Sequence, residues 1–345
     1  MENINIKHLN KYNQNSIMIH SADAKLSVNH IKFWLDILME INEDFSILVR
    51  DENSYKKLIK EFPRLQICYA KAPVDVETVV NAQPKLNIVF YTSNMARNIH
   101  LLRFNHLKHI FIGTKDSEWL SQYNKSYRAY DEFWAGGEFA INKLKNEIGN
   151  TGHLEFKIVG KPQIKDSIEP RYKEKDTNLV LIDNNNELLL EKIYFANKTL
   201  NKKMYLYLSN EKTTIKNNLM SIAKLHSFTN KLQIFRDKEV VNDFAKRVSL
   251  IITDLQNINP YLLQYKVPLV VYIEREYDKY LINIDLLRES IYYFSNKNEL
   301  IEVLTTISTD DFLKDRREKA LNKFFNQEAI SKNIFLETLQ LKKTF

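Results

Sequence analysis

Residues 109–162 read HIFIGTKDSEWLSQYNKSYRAYDEFWAGGEFAINKLKNEIGNTGHLEFKIVGKP and contain all six glycines of the 345-residue chain. Average usage would spread about 24 glycines along a chain of this length. Glycine is needed where the backbone takes a positive φ angle or approaches another group closely. Three short apolar strands are predicted here, each ending on glycine: 109–112 with Gly113, 131–135 with Gly136, and 156–159 with Gly160. Ligands of open parallel sheets bind where strands end, so these glycine-ended strands are the first candidate site.

Strand and helix patterns alternate on both sides of this stretch. Before it, strands are predicted at 16–21, 45–49, 65–69 and 87–91. After it, strands are predicted at 178–182, 203–208, 232–235, 249–253, 267–272 and 290–294. Helical spacing of apolar residues fills most of the intervals, as in 28–38 and 298–307. Such alternation is typical of βαβ units in parallel sheets, and it predicts a first sheet of about seven strands.

The charged segment QIKDSIEPRYKEKDT at 163–177 separates two runs of this alternation and is predicted to be a linker. We therefore expect an N-terminal domain at 1–162, a second domain at 178–310 and C-terminal helices at 311–345. The predicted fold class is α/β, with two Rossmann-like, doubly wound parallel-sheet domains facing across a cleft. This is the layout of GT-B glycosyltransferases, in which the first domain would take the acceptor and the second the nucleotide donor. A fold alone does not establish an activity.

Composition limits the classes of function. The net charge of +7 comes from 50 Lys and Arg against 43 Asp and Glu, without a dense basic run, so we expect no nucleic-acid partner. The single cysteine, Cys68, lies in an apolar run and is expected to be a buried thiol. The chain has no apolar run of 18 residues and no signal-peptide pattern, so a cytoplasmic location is expected. The histidines lack metal-ligand spacing, so neither a metal nor another cofactor is expected.

At this point several segments together resemble a family, the CDP-glycerol glycerophosphotransferases of teichoic-acid and capsule synthesis. The resemblance covers about residues 16–323, and its order and spacing are more specific than any single piece. The pieces are WLDILMEINEDFSILVRDE at 34–52, HIFIGTKDSEW at 109–119, YRAYDEFWAGGEFAINKL at 127–144, IVGKPQ at 158–163, SLIITDLQN at 249–257 and KVPLVVYIEREY at 266–277. The resemblance implies a GT-B fold and transfer of a polyol phosphate from a CDP-activated donor.

The chain departs from this family where the chemistry is expected. A histidine follows the family's first glycine, whereas Thr114 and then Lys115 follow Gly113 here. Where the family has a Lys-Pro-His-Pro turn, this chain has Ser209, Asn210 and Glu211 in place of the histidine. The family's pair of serines after Thr-Asp is replaced by Gln256 and Asn257. The architecture is kept, while most of the chemistry-bearing side chains differ.

Two residues are candidates for the base that accepts the proton of an acceptor hydroxyl. Asp116 follows the first glycine-ended strand, although a carboxylate there would also suit a helix N-cap, as would Ser117. His20 ends the first strand, and a histidine has a pKa near the pH at which the chemistry runs. A buried structural histidine is the alternative for His20.

The remaining candidates bind donor or phosphate. They are Gly113, Thr114, Lys115, Ser117, Gly160, Lys161, Thr253, Asp254, Glu274 and Glu276. Lys115 would hold phosphate at the start of the following helix, and Lys161 stands where the family has arginine. Thr253 and Asp254 end a strand and would bind ribose or phosphate, with a helix cap as the alternative. Glu274 and Glu276 would contact a ribose, with an ordinary solvated surface as the alternative.

Two functions follow from these candidates. The first is a transferase of cell-surface polysaccharide or teichoic-type synthesis that uses a CDP-type donor and a glycan or lipid-linked acceptor. The second is a catalytically degenerate relative that binds a glycan, a nucleotide or a partner enzyme. The segment 312–345 has eight Lys and Arg against four Asp and Glu. It suits peripheral contact with an anionic membrane surface, but packing on the N-terminal domain is the favoured interpretation.

Overall fold

The structure is a computed structural model of the full chain. It describes residues 14–24, 26–40, 44–114, 122–161, 164, 174, 176–182, 187–208, 232–235, 238–326 and 331–341. Clustering of contacts divides the chain into two compact units. The first contains Met1–Ile164 and Lys323–Phe345, and the second contains Lys165–Asn322. Most of the expected linker at 163–177 lies outside the described residues.

The first unit is built on a parallel sheet of seven strands. In chain order they are β1 (Ile17–Ser21), β2 (Phe45–Val49), β3 (Gln66–Tyr69), β4 (Ile88–Tyr91), β5 (Lys108–Phe111), β6 (Glu132–Ala135) and β7 (Glu155–Ile158). Their order across the sheet is β3-β2-β1-β4-β5-β6-β7. The expected seven-stranded sheet is thus confirmed. The direction of winding reverses between β1 and β4, and that switch point is where doubly wound sheets bind ligands.

Helices cover both faces of this sheet, which is why its central strands are apolar on both sides. They are α1 (Ser27–Leu38), α2 (Glu52–Glu61), α3 (Pro73–Asn81), α4 (Ile99–Leu102) and α5 (Glu138–Ile148). Strand β4, IVFY, is buried at every position. The Cys68 thiol is also buried, as expected.

The C-terminal helix α11 (Ser331–Leu341) belongs to the same unit. Its Phe335 is fully buried between two tryptophans, with ring centroids 5.4 Å from Trp34 and 5.1 Å from Trp134. Phe90 of β4 completes this aromatic group at 5.6 Å from Phe335. The end of the chain therefore supplies part of the core beneath the first sheet. Trp134 is core, as the sequence favoured, whereas Trp119 lies outside the described residues.

One predicted helix, 94–104, is broken in the structure. A 3₁₀ turn at Ala96–Asn98 precedes the short α4. The Asn98 side-chain amide donates to the Ser93 carbonyl at 2.7 Å and to the Tyr130 hydroxyl at 2.8 Å. Side-chain hydrogen bonds of this kind compete with a regular helix, and they keep the turn close to the end of β4.

The second unit contains a parallel sheet of six strands. They are β8 (Thr177–Ile182), β9 (Lys203–Leu208), β10 (Leu232–Phe235), β11 (Leu250–Asp254), β12 (Leu269–Tyr272) and β13 (Tyr292–Phe294). Their order is β10-β9-β8-β11-β12-β13, the same winding with its switch point between β8 and β11. Its helices are α6 (Glu187–Thr199), α7 (Lys238–Ala245), α8 (Asp285–Arg288), α9 (Lys297–Thr309) and most of α10 (Lys314–Phe325). A helix predicted at 213–225 lies outside the described residues.

Candidate functional site

Two of the predicted glycine-ended strands have the geometry that glycine provides. Gly113 follows β5 with φ 62°, and Gly160 follows β7 with φ 70°. Residues that carry a Cβ atom adopt this left-handed region only rarely, so glycine is favoured at both turns. The Trp34 indole donates to the Gly113 carbonyl at 2.7 Å. Lys161 is fully buried, and its ammonium donates to the Ile112 carbonyl at 3.0 Å.

These contacts assign Lys161 a structural task. Its ammonium lies 5.3 Å from the centre of the Trp34 ring, a distance at which a cation is attracted to the π face. The lysine therefore ties the turn after β7 to the turn after β5. Its predicted contact with phosphate stays a prediction. Thr114 is half-buried at the end of the described segment, and Lys115, Asp116 and Ser117 lie outside the described residues.

Packing explains the glycines after β6, the third of the predicted glycine-ended strands. A Cβ atom on Gly137, which precedes α5, would lie 2.4 Å from the Lys323 carbonyl oxygen and 2.6 Å from the Phe324 carbonyl carbon. Real Cβ atoms do not approach backbone this closely. Gly137 thus lets the end of α10 pass directly over the start of α5. The Phe139 and Phe324 rings, with centroids 4.6 Å apart, continue this contact.

His20, the second candidate base, is fully buried at the end of β1. Its Nδ1 lies 3.2 Å from the Leu48 carbonyl oxygen, which can only accept, so Nδ1 carries the proton and Nε2 holds a lone pair. Burial first, and then the charge of Arg50, lowers the pKa of His20 to about 3. The imidazole is therefore neutral at physiological pH. Nε2 makes no hydrogen bond of normal geometry, although the Asn98 side chain is near enough to affect the pKa of His20.

Arg50 lies directly after β2 and is only 2% exposed. Its guanidinium donates to three main-chain carbonyls, from Nε to Ala70 at 2.5 Å, from Nη2 to Lys71 at 3.0 Å and from Nη1 to Arg97 at 3.4 Å. Nη2 also donates to the imidazole Nδ1 of His100 at 3.1 Å. Burial, followed by the charge of Arg97, lowers the pKa of Arg50. Within the described part of the chain, no carboxylate lies within 4 Å of Arg50. A buried cation without a counter-ion is unusual, because burial of an unpaired charge is costly.

Two further basic residues adjoin Arg50 from the segment after β4. The exposed Arg97 donates from Nη1 to the Arg50 carbonyl at 3.4 Å, and His100 Nδ1 lies 3.1 Å from Arg50 Nη2. Burial and then the charges of Arg50, Arg103 and Arg97 lower the pKa of His100. We call His20, Arg50, Arg97, Asn98 and His100 the switch-point cluster.

Several buried polar atoms in the cluster and beside it make no hydrogen bond of normal geometry. His20 Nε2, Asn98 Oδ1, Ser21 Oγ and Ser93 Oγ are all buried and make no hydrogen bond of normal geometry. Both Asn98 amide hydrogens are in use, toward Ser93 and Tyr130, so its Oδ1 remains as an acceptor. Buried polar atoms are nearly always hydrogen-bonded in native proteins. Such a concentration at the ends of β1 and β4 indicates a place where a ligand or ordered water completes the bonding.

In the second unit, the predicted residues at the end of β11 are hydrogen-bonded to the chain itself. Thr253 is buried, and its hydroxyl donates to the Leu181 carbonyl at 2.8 Å. Asp254 Oδ1 accepts from the Gln256 amide at 3.1 Å, the Asn257 amide at 2.9 Å and the Asn257 side chain at 2.8 Å. The carboxylate of Asp254 thus closes the turn after β11, whereas the helical turn that follows, Pro260–Tyr265, is capped by Asn259. A ligand role for Thr253 and Asp254 stays a prediction.

The loop after β12 is exposed. Glu274 is solvated, and Glu276 forms an ion pair with Lys279. Beside them, Tyr277 is 56% and Tyr280 is 60% exposed. The sequence pattern does not predict that these tyrosines are exposed, because an aromatic residue in a short apolar-polar pattern is usually buried.

The switch-point cluster was missed for a related reason. Only His20 was named, whereas Arg50 and Asn98 were assigned no role. One signal was present in the sequence, since a polar side chain stands at or just beyond the end of two adjacent strands, β1 and β2. That signal does not show that the side chains meet without counter-ions.

The described residues also bear on metal sites and on membrane-spanning helices. No group of three or more His, Cys, Asp or Glu side chains there is arranged to hold a metal ion. Among the same residues, no helix has the length and apolar character needed to cross a membrane.

Comparisons with known proteins concern the whole chain. No protein-family model matches it, and no curated protein sequence matches it. Among solved structures, UDP-GlcNAc 2-epimerase from Neisseria meningitidis, bound to UDP-GlcNAc, is 13% identical, with a TM-score of 0.59 over 94% of this chain and 99% of that one. UDP-GlcNAc 2-epimerase from Methanocaldococcus jannaschii is 15% identical, with a TM-score of 0.57 and the same coverage. The wall teichoic acid polymerase TagF, solved with CDPG, is 9% identical, with a TM-score of 0.53 over 98% of this chain and 93% of that one.

At 9 to 15% identity, these similarities show the fold alone. They extend over nearly the whole of each chain, so they cover both units. The predicted fold class is confirmed: the chain has a GT-B-like fold built from two doubly wound parallel-sheet domains.

Proposed function

We propose that the chain is a transferase that moves a polyol phosphate or a sugar from a nucleotide-activated donor of the CDP type to a glycan acceptor. The switch-point cluster carries this proposal. Among the described residues, its buried cation Arg50 has no carboxylate within 4 Å, and its buried acceptors His20 Nε2 and Asn98 Oδ1 make no hydrogen bond of normal geometry, at the edge where doubly wound sheets bind ligands. The fold supports it as well, because structures of this fold have been solved with UDP-GlcNAc and with CDPG.

For a polyol phosphate, the reaction needs one proton acceptor. The acceptor hydroxyl attacks the phosphorus that bears the polyol, the phosphoanhydride bond breaks, and CMP leaves with the bridging oxygen. The hydroxyl proton passes to a base. His20 offers a neutral imidazole with a lone pair on Nε2, although a pKa of about 3 makes it a weak base in the free protein. Asp116 is therefore the first candidate for the base and His20 the second.

The donor side of the proposal is the second unit. Tyr277 and Tyr280 present exposed rings beside Glu274, after β12. An exposed aromatic ring stacks on a nucleotide base, because every base has a π face. Glu274 would accept hydrogens from the ribose hydroxyls. Cations adjoin the same rings, with Arg275 4.4 Å from the centre of Tyr277 and Arg288 4.9 Å from that of Tyr280.

The product would be a capsule or teichoic-type cell-envelope polymer. A cytoplasmic protein that meets its acceptor at the inner face of the membrane suits such a reaction. The acceptor would be a glycan, either free or linked to a lipid.

A second candidate is a relative that binds the same ligands without turnover. One observation favours it: the Thr253 hydroxyl and the Asp254 carboxylate are already bonded to the chain itself. In the related family, residues after this strand are expected to hold donor phosphate. The weak basicity of His20 points in the same direction.

Calorimetric titration of the purified full chain with CDP, and with cytidine as a control, tests the shared premise. Binding of CDP but not cytidine supports a nucleotide site, whereas no heat at millimolar concentrations of CDP or UDP overturns both candidates. Turnover then separates them. Release of CMP from CDP-glycerol in the presence of a glycan acceptor, followed by ³¹P NMR, supports the transferase. Asp116→Ala should abolish it, while binding without release supports the second candidate.

A further inference from the structure

We infer that the switch-point cluster binds a small hydroxylated oxyanion, with the anionic group against Arg50 and Arg97 and the hydroxyls on His20 and Asn98. The inference deepens the proposed function and rests on it only in naming this ligand as the acceptor-side group. The binding itself requires no nucleotide. The oxyanion is a phosphate or a carboxylate, and both share the geometry that a guanidinium recognises.

The first step is the charge. Arg50 is buried, and its partners are the carbonyl groups of Ala70, Lys71 and Arg97 and the imidazole Nδ1 of His100, all of them uncharged acceptors. Carbonyl dipoles stabilise a guanidinium but carry no net charge to balance it. The carboxylate that acts on Arg50, Asp75, is occupied on Oδ2 by the amides of Lys71 and Ala72, at 2.9 and 2.7 Å. Asp75 therefore acts on Arg50 only from a distance, and among the described residues no carboxylate lies within 4 Å of the guanidinium.

The second step is the repulsion between like charges. Each of Arg50 and Arg97 donates to the main-chain carbonyl of the other, at 3.4 Å in both directions. The fold thus keeps two guanidinium groups side by side, and 3.4 Å is long for such bonds. Within the described residues, no carboxylate approaches either of them to 4 Å. An anion near both groups would relieve the repulsion and accept from both forks.

The third step is the pair of acceptors. His20 Nε2 and Asn98 Oδ1 are buried and lack hydrogen bonds of normal geometry. With the proton on Nδ1 of His20, these two acceptors do not satisfy one another, and O–H or N–H donors of a ligand would complete both. A carboxylate group supplies no donor and a hydrogen phosphate supplies only its acidic O–H, whereas a hydroxylated carbon chain that bears the oxyanion supplies several donors. The ligand class follows from this combination of free cations and free acceptors.

The test is calorimetric titration of the full chain with four probes: sn-glycerol 3-phosphate, D-glycerate, inorganic phosphate and glycerol. We expect binding of at least one of the first two, and a dissociation constant about tenfold higher or more for inorganic phosphate, which lacks the hydroxylated carbon chain. Glycerol should not bind measurably, because it lacks the charge. The ratio between the phosphate ester and the carboxylate decides which oxyanion the cluster prefers.

Two variants locate the site. Arg97→Ala removes an exposed cation, so the variant should fold, and it should weaken binding about tenfold. Arg64→Ala is the matched control, since Arg64 is an exposed arginine just before β3, at the opposite edge of the same sheet. Its binding should change less than about twofold.

Three results would overturn the inference: no heat from either hydroxylated oxyanion at about 10 mM, equal binding of inorganic phosphate and its ester, or equal loss in the two variants. The outcome is separable from that of the proposed function. A chain that binds these ligands but no nucleotide keeps the inference and loses the transferase. A chain that binds CDP but no hydroxylated oxyanion does the reverse.

Discussion

The two units have the same winding order but opposite states at their carboxyl edges. In the first unit, Arg50 is buried beside Arg97 with no carboxylate within 4 Å among the described residues, and His20 Nε2 makes no hydrogen bond of normal geometry. In the second unit, Thr253 and Asp254 are buried with side-chain oxygens bonded to the chain itself. Within the described residues, the first edge therefore carries unmet bonding capacity, whereas the end of β11 in the second unit meets its own.

With the same topology, some strand ends have polar groups that stabilise the fold, and others have polar groups that remain available to a ligand. A self-satisfied edge contributes to folding and leaves ligand contacts to exposed groups such as Tyr277. Unpaired buried polar groups lower the free energy of unfolding, and a ligand that bonds to them removes this destabilisation. We expect the first unit to be the more sensitive to its surroundings, and the following predictions test that contrast.

The largest expected effect is on the scaffold of the first unit. Gly137→Ala should lower the free energy of unfolding by about 3 kcal/mol or more, since its Cβ would meet the Lys323 carbonyl at 2.4 Å. Denaturant unfolding followed by tryptophan fluorescence measures the loss. Gly152→Ala is the control, because nothing lies within 4 Å of its Cβ, and it should be close to neutral. Equal stability of the two variants would show that α10 does not pass over α5 as described.

The second prediction concerns pH and the first edge. The pKa of His20 is about 3 in the folded chain and about 6.5 in the unfolded chain. Below pH 6.5 only the unfolded chain takes up this proton, so the contribution is fully present above pH 6.5 and is lost as the pH falls. The slope is about 1.4 kcal/mol per pH unit, or about 2 to 3 kcal/mol between pH 6 and pH 4.

His20→Asn removes this titration and keeps a donor for the Leu48 carbonyl. Unfolding free energies of both proteins, measured from pH 7 to pH 4, should converge by that amount, since other groups titrate in both. Parallel curves would mean that His20 is accessible to protons in the folded state, and the contrast between the edges would weaken.

A smaller effect is expected at the edge of the second unit. Asp254→Ala should cost about 1 to 2 kcal/mol, because the carboxylate accepts from two main-chain amides and a side chain. Asp254→Asn keeps an acceptor oxygen and should lose less than half of that. Thermal unfolding measures both. A neutral Asp254→Ala would free this residue for a ligand and would make the two edges alike.

The smallest effect on stability belongs to the exposed loop after β12. Tyr280→Ala should change the free energy of unfolding by less than about 0.5 kcal/mol, because the ring is 60% exposed. If the second unit holds the nucleotide base by stacking, CDP binding should weaken about tenfold in the same variant. Tyr265→Phe serves as the control, since it removes only a hydroxyl from a ring in the same unit. Unchanged CDP binding would exclude Tyr280 as the stacking surface.

The local pattern of the chain predicted much of the fold. Strands at 45–49, 203–208 and 232–235 occur with the predicted bounds, as β2, β9 and β10. Alternation of short apolar strands with amphipathic helices is a local property, and parallel sheets follow from it. The glycines at the predicted strand ends likewise predicted the positive φ angles of Gly113 and Gly160.

Roles that depend on distant contacts were less accessible. Lys161 appeared as a phosphate ligand, yet its ammonium binds the Ile112 carbonyl 49 residues away in sequence. Gly137 appeared as part of a ligand loop, yet the close approach that it permits comes from Lys323, far along the chain. In each case the residue type suits both roles; the structure shows the structural contact, and the ligand role stays a prediction.

By itself, the sequence determined that two parallel sheets would form and which strand ends would turn on glycine, because burial periodicity and glycine geometry act over a few residues. Tertiary structure alone decided that Arg50, Arg97 and His20 come together with no described carboxylate within 4 Å of either guanidinium, and that Asp254 closes its own turn. The physical reason is that charge balance and hydrogen-bond satisfaction depend on which groups fold together in space.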